Sequence, residues 1–335
     1  MPKQSLAEQL DQAVQALLDR PGSAPPLAAV ELEDLARIAA DLRELPRQEF
    51  KKYLKADLQR RAKMSTTTVN PIRAGFHTLN LYLVVKDAAA EVLEFARQAF
   101  GAQETLRVKT PGGGIMHAEF RVGDSMIEIA DSNEQYPPIP ATIHLKVDDV
   151  DAVYQRALQA GGVSLRPPTD QEYGERDCSV KDPGGSFWYI GSPRGETHFL
   201  PDQRSVTPYM HVEGAPRCIE FLKQAFGAEE VMRHQTPDGI VHHAKMRIGD
   251  SVLEMGEAHG PFPAMSLNLH LYVPDADAVY RQALAAGATS VREPVDEPYG
   301  DRAGGVRDPF GNWWWMATHI KDVHFRWPRR RDGTI

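Results

Sequence analysis

The segment EFARQAFGAQE at 94–104 returns as EFLKQAFGAEE at 220–230, and such a recurrence restricts the chain to folds assembled from two like units. GIMHAEFRVGDSMIEIAD (114–131) likewise returns as GIVHHAKMRIGDSVLEMGE (239–257), and DDVDAVYQRALQAGG (148–162) as PDADAVYRQALAAGA (274–288). His117 meets His243, His144 meets His270 and Tyr173 meets Tyr299, always 126 residues on. An offset that does not drift leaves room for few insertions, so the repeat is a duplicated domain rather than a short motif met twice.

Within each copy the apolar period alternates between two regimes. LNLYLVV (79–85) reads as a strand, and Val92, Phe95, Ala96, Ala99 and Phe100 then mark one face of a helix that Gly101 ends. Short strands are expected over 103–109, 114–122 and 125–130, the last two joined by the two-residue turn Gly123-Asp124. The order then repeats inside the copy: strand 142–147, a helix carrying Val150, Val153, Tyr154, Ala157 and Leu158 with Gly161 as its stop, and strands near 163–166, 177–181 and 186–190. Each copy is therefore expected to be two βαβββ modules, an α+β fold in which two modules side by side make a curled mixed sheet. Helices cover the convex face and the concave face forms a pocket. Pocket side chains have the opposite strand parity to those facing the helices.

The rest of the chain sorts around this repeat. Residues 1–64 read as helices, with Leu6, Leu10, Val14 and Leu17 on one face and Phe50, Tyr53, Leu54 and Leu58 on another, and 65–74 as a polar linker. The copies are set at 75–197 and 203–322, with a tail at 323–335. Hydrophobic residues at 42% and charged residues at 25% are the balance of a globular chain rather than a disordered one. No run approaches the roughly 20 apolar residues of a membrane span, and MPKQSLAEQL lacks the apolar core of a secretion signal, so a cytoplasmic protein without a membrane partner is expected. Cys178 and Cys218 are too few for a disulfide framework. A net charge of −8, with Lys and Arg dispersed, argues against nucleic acid. A small molecule is the expected partner, and a homodimer is also open to the chain.

YMHV (209–212), AFGAEE, the HA(K/E) strand with IGDSVLEM, LHLYVPDADAVY and YGDRAGGVRDPFGNWW (299–314) together resemble the vicinal oxygen chelate superfamily. That group includes glyoxalase I, extradiol dioxygenases, fosfomycin-resistance enzymes and bleomycin-binding proteins. The nearest likeness is to the tandem subgroup labelled 3-demethylubiquinone-methyltransferase-like. These motifs speak for the fold far more than for any one chemistry. DP-x-G at Asp182 and Asp308 reads as a tight turn before the last strand.

Metal-using members of the superfamily hold their ion from four strand positions. Carried over by the resemblance, these fall on Asn80, Glu128, Thr142 and Tyr189 in the first copy and on Thr207, Glu254, Asn268 and Trp315 in the second. Only the two glutamates are good ligands, because amides and hydroxyls bind transition ions feebly and tryptophan does not bind them. A shifted site in the second copy would use His211, Glu254 and His270, two histidines and a carboxylate suited to one divalent ion of iron, manganese, zinc or nickel. His270, Glu254 and Tyr272 would then carry the catalysis of a metal-dependent lyase, isomerase or dioxygenase. Tyr209, His243, Lys245, Asn268, Trp313 and Trp315 share the pocket parity, and Tyr299 and Arg302 belong to a loop that family members set at the pocket mouth. Arg302 there would clamp an anion, or alternatively pair with Asp301 or Asp308 and fix the loop. Two other readings stand beside the enzyme: a metal-free protein that sequesters an aromatic compound between Trp313, Trp315 and Tyr272, and a regulatory or assembly protein that docks through its N-terminal helices. His117 with Glu119, and His243 with Lys245, share a strand face, with hydrogen bonding between strands as their plainest use.

Overall fold

The structure is a computed structural model that describes residues 69–195, 199–200, 202–260 and 262–323. The helices expected over 1–64 and most of the tail lie outside the described residues. The chain divides into two units, Met1–Val69 and Asn70–Ile335, and both copies lie in the second.

The first copy runs β1 (Leu79–Val85), α1 (Ala89–Phe100), β2 (Gln103–Lys109), β3 (Ile115–Val122), β4 (Ser125–Asp131), β5 (Thr142–Lys146), α2 (Val150–Gln159), β6 (Val163–Gln171), β7 (Glu175–Lys181) and β8 (Phe187–Pro193). The second repeats it as β9 (Val206–Val212), α3 (Ala215–Phe226), β10 (Glu229–Gln235), β11 (Val241–Ile248), β12 (Ser251–Glu257), β13 (Asn268–Tyr272), α4 (Ala276–Ala285), β14 (Thr289–Asp296), β15 (Asp301–Arg307) and β16 (Trp313–His319). Local chemistry sets the ends. Gly101 and Gly227 take the left-handed conformation that stops α1 and α3, and the side chains of Asp149 and Asp275 accept from the N–H groups of Ala152 and Ala278 to open α2 and α4. Strand β6 runs five residues past the expected 166, through Pro167 and Pro168. It is a sheet edge whose pairing with β7 is interrupted by register shifts, a place where missing N–H donors cost little.

Two mixed eight-stranded sheets result, and their composition departs from the expected pairing. Sheet one has the order β14-β15-β16-β13-β1-β4-β3-β2 and sheet two the order β10-β11-β12-β9-β5-β8-β7-β6. Each sheet thus joins one module of the first copy to one of the second. The junctions are antiparallel: Asn80 lies opposite His270 where β1 meets β13, and His144 opposite Thr207 where β5 meets β9. Sequence pattern does not distinguish these partners from the modules of the same copy, because β5 (TIHLK) and β13 (NLHLY) present nearly the same face.

The two modules of one copy meet instead through their helices. α1 packs on α2 and α3 on α4, with Phe100 against Trp188 (centroids 4.6 Å apart) and Phe226 against Trp314 (4.3 Å). Leu81, Leu83, Ile127, Ile143, Met210, Leu253, Leu269 and Trp314 alternate toward this shared core and are almost fully buried. Burying each such side chain is worth about 1.5–3 kcal/mol, so the core ties together what the strands divide. The opposite parity, with Glu128, His144, Tyr209, Glu254 and His270, is left for the faces away from the helices.

The hairpin turns lock the junctions. Asp250 accepts from the Thr78 N–H (2.8 Å) and Ser251 from the Leu79 N–H (3.1 Å), while Asp124 and Ser125 receive the Ser205 and Val206 N–H groups (2.8 and 3.1 Å). The repeated Gly-Asp-Ser turn of each copy therefore caps the first strand of the other.

Candidate functional site

Across the free face of sheet two lies a cavity of about 570 Å³, with His144, Tyr173, Tyr189, Tyr209, His211 and Phe262 among its walls. Its aromatic groups face one another: His211 stacks on Phe262 (5.4 Å, 23°) and tilts against Tyr209 (4.8 Å), and Tyr189 presents its edge to Tyr209 (6.2 Å). Burial drives the His211 pKa down to about 4, helped by His259, and burial likewise takes His243 down to about 4. Both imidazoles are therefore neutral at ordinary pH.

Beneath these walls Glu254 is fully buried and fully engaged. Its Oε2 accepts from His144 Nδ1 (2.7 Å), and its Oε1 accepts from Lys245 Nζ (2.7 Å) and Gln203 Nε2 (2.8 Å). Burial alone would raise the Glu254 pKa, but the charge and hydrogen bond of His144, with Lys245, hold it well below the ordinary carboxylate value. For His144 burial pulls down, and the Glu254 charge and hydrogen bond, with Glu175, pull up further.

Sheet one repeats this plan with different chemistry. Glu128 Oε2 accepts from His270 Nδ1 (2.6 Å), which lifts the His270 pKa against its burial. Glu119 stands where Lys245 stands in sheet two: it is the cross-strand partner of Glu128, as Lys245 is of Glu254. His117 Nε2 lies 3.3 Å from Glu119 and 4.0 Å from Glu128, Tyr82 Oη is 3.1 Å from His117 Nδ1, and Arg73 reaches Glu119 at 2.7 Å. Tyr272 stacks on His270 (4.6 Å) and donates to Asp301 (2.8 Å), which also holds His319 (2.7 Å). Trp315 donates from Nε1 to Asn268 (2.9 Å), and Tyr136 presents its edge to Trp313 and Trp315.

The residues singled out in the sequence are thus divided. Tyr209, His211 and His243 wall the sheet-two cavity, with Lys245 and Glu254 below it, whereas Asn268, His270, Tyr272, Trp313 and Trp315 belong to sheet one. The expected trio of His211, Glu254 and His270 is not brought together, because strands β12 and β13 are in different sheets. Nor is His211 beside Glu254 within sheet two: Tyr209 is the partner of Glu254 on the adjacent strand, and His211 faces Gly256. Arg302 turns to the helix side, where it binds Asp277 (2.5 and 2.7 Å) and Asp296 (2.9 Å) rather than Asp301 or Asp308, because the helix brings Asp277 alongside it. Tyr299 is in the loop opening β15, and its burial raises its pKa.

The family's four-ligand metal position does not fit either sheet. In sheet two its slots hold Thr207 or Tyr209, Glu254, Thr142 and Tyr189, and the glutamate is taken by an ammonium and an imidazole. In sheet one they hold Asn80 or Tyr82, Glu128, Asn268 and Trp315; Asn80 is spent on the His77 backbone, Asn268 accepts from Trp315, and Trp315 offers no lone pair.

Some site residues carried no sequence signal. Phe262 and Gln203 come from loops with no periodicity, and Arg73 from the stretch read as linker. The pairing of Glu119 with Glu128 was readable, since counting outward from Gly123-Asp124 sets Val122 against Ser125 and so Glu119 against Glu128.

Comparison with known proteins agrees with this architecture. The chain is 34% identical over 142 residues to the uncharacterized protein MT0910 of Mycobacterium tuberculosis, covering 39% of this chain and 84% of that one. It is 26% identical over 208 residues to the anthracycline biosynthesis protein DauV of Streptomyces sp. (strain C5), covering 60% and 72%. Glyoxalase I from Zea mays superposes with a TM-score of 0.55 at 16% identity, over 72% of this chain and 92% of that one, which speaks for the fold alone. The family profile matches residues 76–190 and again 209–316, one match in each copy, and the chain belongs to the Glyoxalase/Bleomycin resistance protein/Dioxygenase superfamily.

Proposed function

We propose that the chain binds a planar, largely apolar organic molecule in the sheet-two cavity, and does so without a metal ion. The observation that carries this reading is the aromatic enclosure of Tyr189, Tyr209, His211 and Phe262 around about 570 Å³, a volume within the usual range for small-molecule sites. The flat faces and the neutral imidazoles of His211 and His243 favour stacking and weak hydrogen bonding. Lys245 on Glu254 supports the absence of a metal there, because a cation already holds that carboxylate. One relative is named for the biosynthesis of anthracyclines, a fused-ring class of the shape such a cavity would take.

The test is titration of the protein with fused-ring quinones and other flat aromatics by calorimetry. One saturable site per chain is expected, weakened about tenfold in Tyr209→Ala and His211→Ala, the loss of roughly one aromatic contact. Trp313→Ala should leave it unchanged. Binding that follows Trp313 and ignores Tyr209 would move the site to sheet one and sink this reading.

A further inference from the structure

We propose that sheet one holds a divalent transition-metal ion on His117, Glu119 and Glu128, a site on β3 and β4 that shares only Glu128 with the family's four positions. It is independent of what occupies the sheet-two cavity. His117 and Glu119, two residues apart on β3, share a face, and Glu128 is the cross-strand neighbour of Glu119 on β4. One ligand atom from each lies within 4.8 Å of the other two, a span that small side-chain shifts close around an ion with bonds of about 2.0 to 2.2 Å. One imidazole and two carboxylates are donors suited to zinc, manganese or iron(II).

The surroundings are those of a supported ligand set. Glu128 turns Oε1 to the cluster while its Oε2 accepts from His270 (2.6 Å), and Tyr82 Oη stands 3.1 Å from His117 Nδ1, placed to accept from it and leave the Nε2 lone pair for the ion. An independent observation comes from the other half of the duplicated fold. There the same three strand positions are His243, Lys245 and Glu254, and the buried Lys245 Nζ lies 2.7 Å from Glu254. The fold thus places a built-in cation at this point in sheet two. In sheet one a carboxylate replaces the ammonium, which leaves two carboxylates, Glu119 and Glu128, against the His270 imidazole on Glu128. Arg73 sets a cation on Glu119 from a less buried position, its Nη2 2.7 Å from both carboxylate oxygens with 31% of its side chain accessible, and an ion must compete with it there.

Chelator-stripped full-length protein, titrated with zinc(II) and with cobalt(II), tests this by calorimetry and by the visible absorption of cobalt. One equivalent per chain is expected, with at least a tenfold loss of affinity in His117→Gln and in Glu119→Gln, and tighter binding in Arg73→Gln. Circular dichroism of the stripped variants checks that they are folded. A cobalt spectrum altered by His117→Gln separates direct ligation from a change in fold. No binding at millimolar cation, binding undiminished in folded His117→Gln and Glu119→Gln, or two equivalents with one retained in both variants would each overturn the proposal.

Discussion

At the scale of residues, the described residues bury two glutamate–histidine couples, Glu128 with His270 and Glu254 with His144. Each carboxylate is held below its ordinary value of 4.5 and each imidazole above its ordinary value of 6.5. A depressed carboxylate stabilises the fold above about 4.5 and loses that contribution as pH falls through its folded pKa. A raised histidine stabilises it below about 6.5 and loses that contribution as pH rises through its folded pKa. The stability gap between the native chain and His144→Gln or His270→Gln should therefore be widest between those limits, about 2–3 kcal/mol, and narrow on both sides. Urea midpoints measured across pH check this; a gap that keeps growing toward pH 9 would contradict it. The glutamates and histidines were visible in the sequence as strand residues of pocket parity. Their partners were not, because each bond crosses from one copy to the other, and parity tells which face a side chain takes but not which strand lies alongside.

At the scale of elements, the Gly-Asp-Ser turns read in the sequence as ordinary hairpin connections, and they are that. They also hold the opening of a strand in the opposite copy, a contact with no local signature because Asp250 and Thr78 are 172 residues apart. Asp250 takes the Thr78 N–H and lies 3.1 Å from His77, and its carboxyl is held at about 2, against its burial, by the Thr78 and Ser251 hydrogen bonds and by His77. Replacing Asp250 by alanine should cost about 1.5–3 kcal/mol, the worth of hydrogen bonds to a charged group, and speed amide exchange at Thr78 and Leu79 before it is felt elsewhere. Unchanged exchange at those two amides would show that the turn does not hold the junction. The order of strands and helices was legible throughout the described residues, since hydrophobic period and glycine stops are local properties. The exception was β6, expected near 163–166, which continues through two prolines to Gln171 as an edge strand can.

At the scale of the whole molecule, neither copy completes a sheet by itself. Residues 70–200 alone would leave β1 and β5 each without its neighbour, and should associate in pairs, with β1 of one molecule beside β5 of the next and Glu128 beside His144. Light scattering should report twice the monomer mass; a stable monomer with native strand content would mean that the modules can also close within one copy. A symmetric pair of that kind has two identical pockets, because one stretch of coding sequence writes both halves of each. Once the two stretches are fused in tandem, four half-pockets are encoded separately, and a substitution such as lysine for glutamate alters one pocket while sparing the other. Loss of either stretch would nonetheless remove half of both pockets, so the fusion allows the pockets to diverge while keeping the copies mutually indispensable.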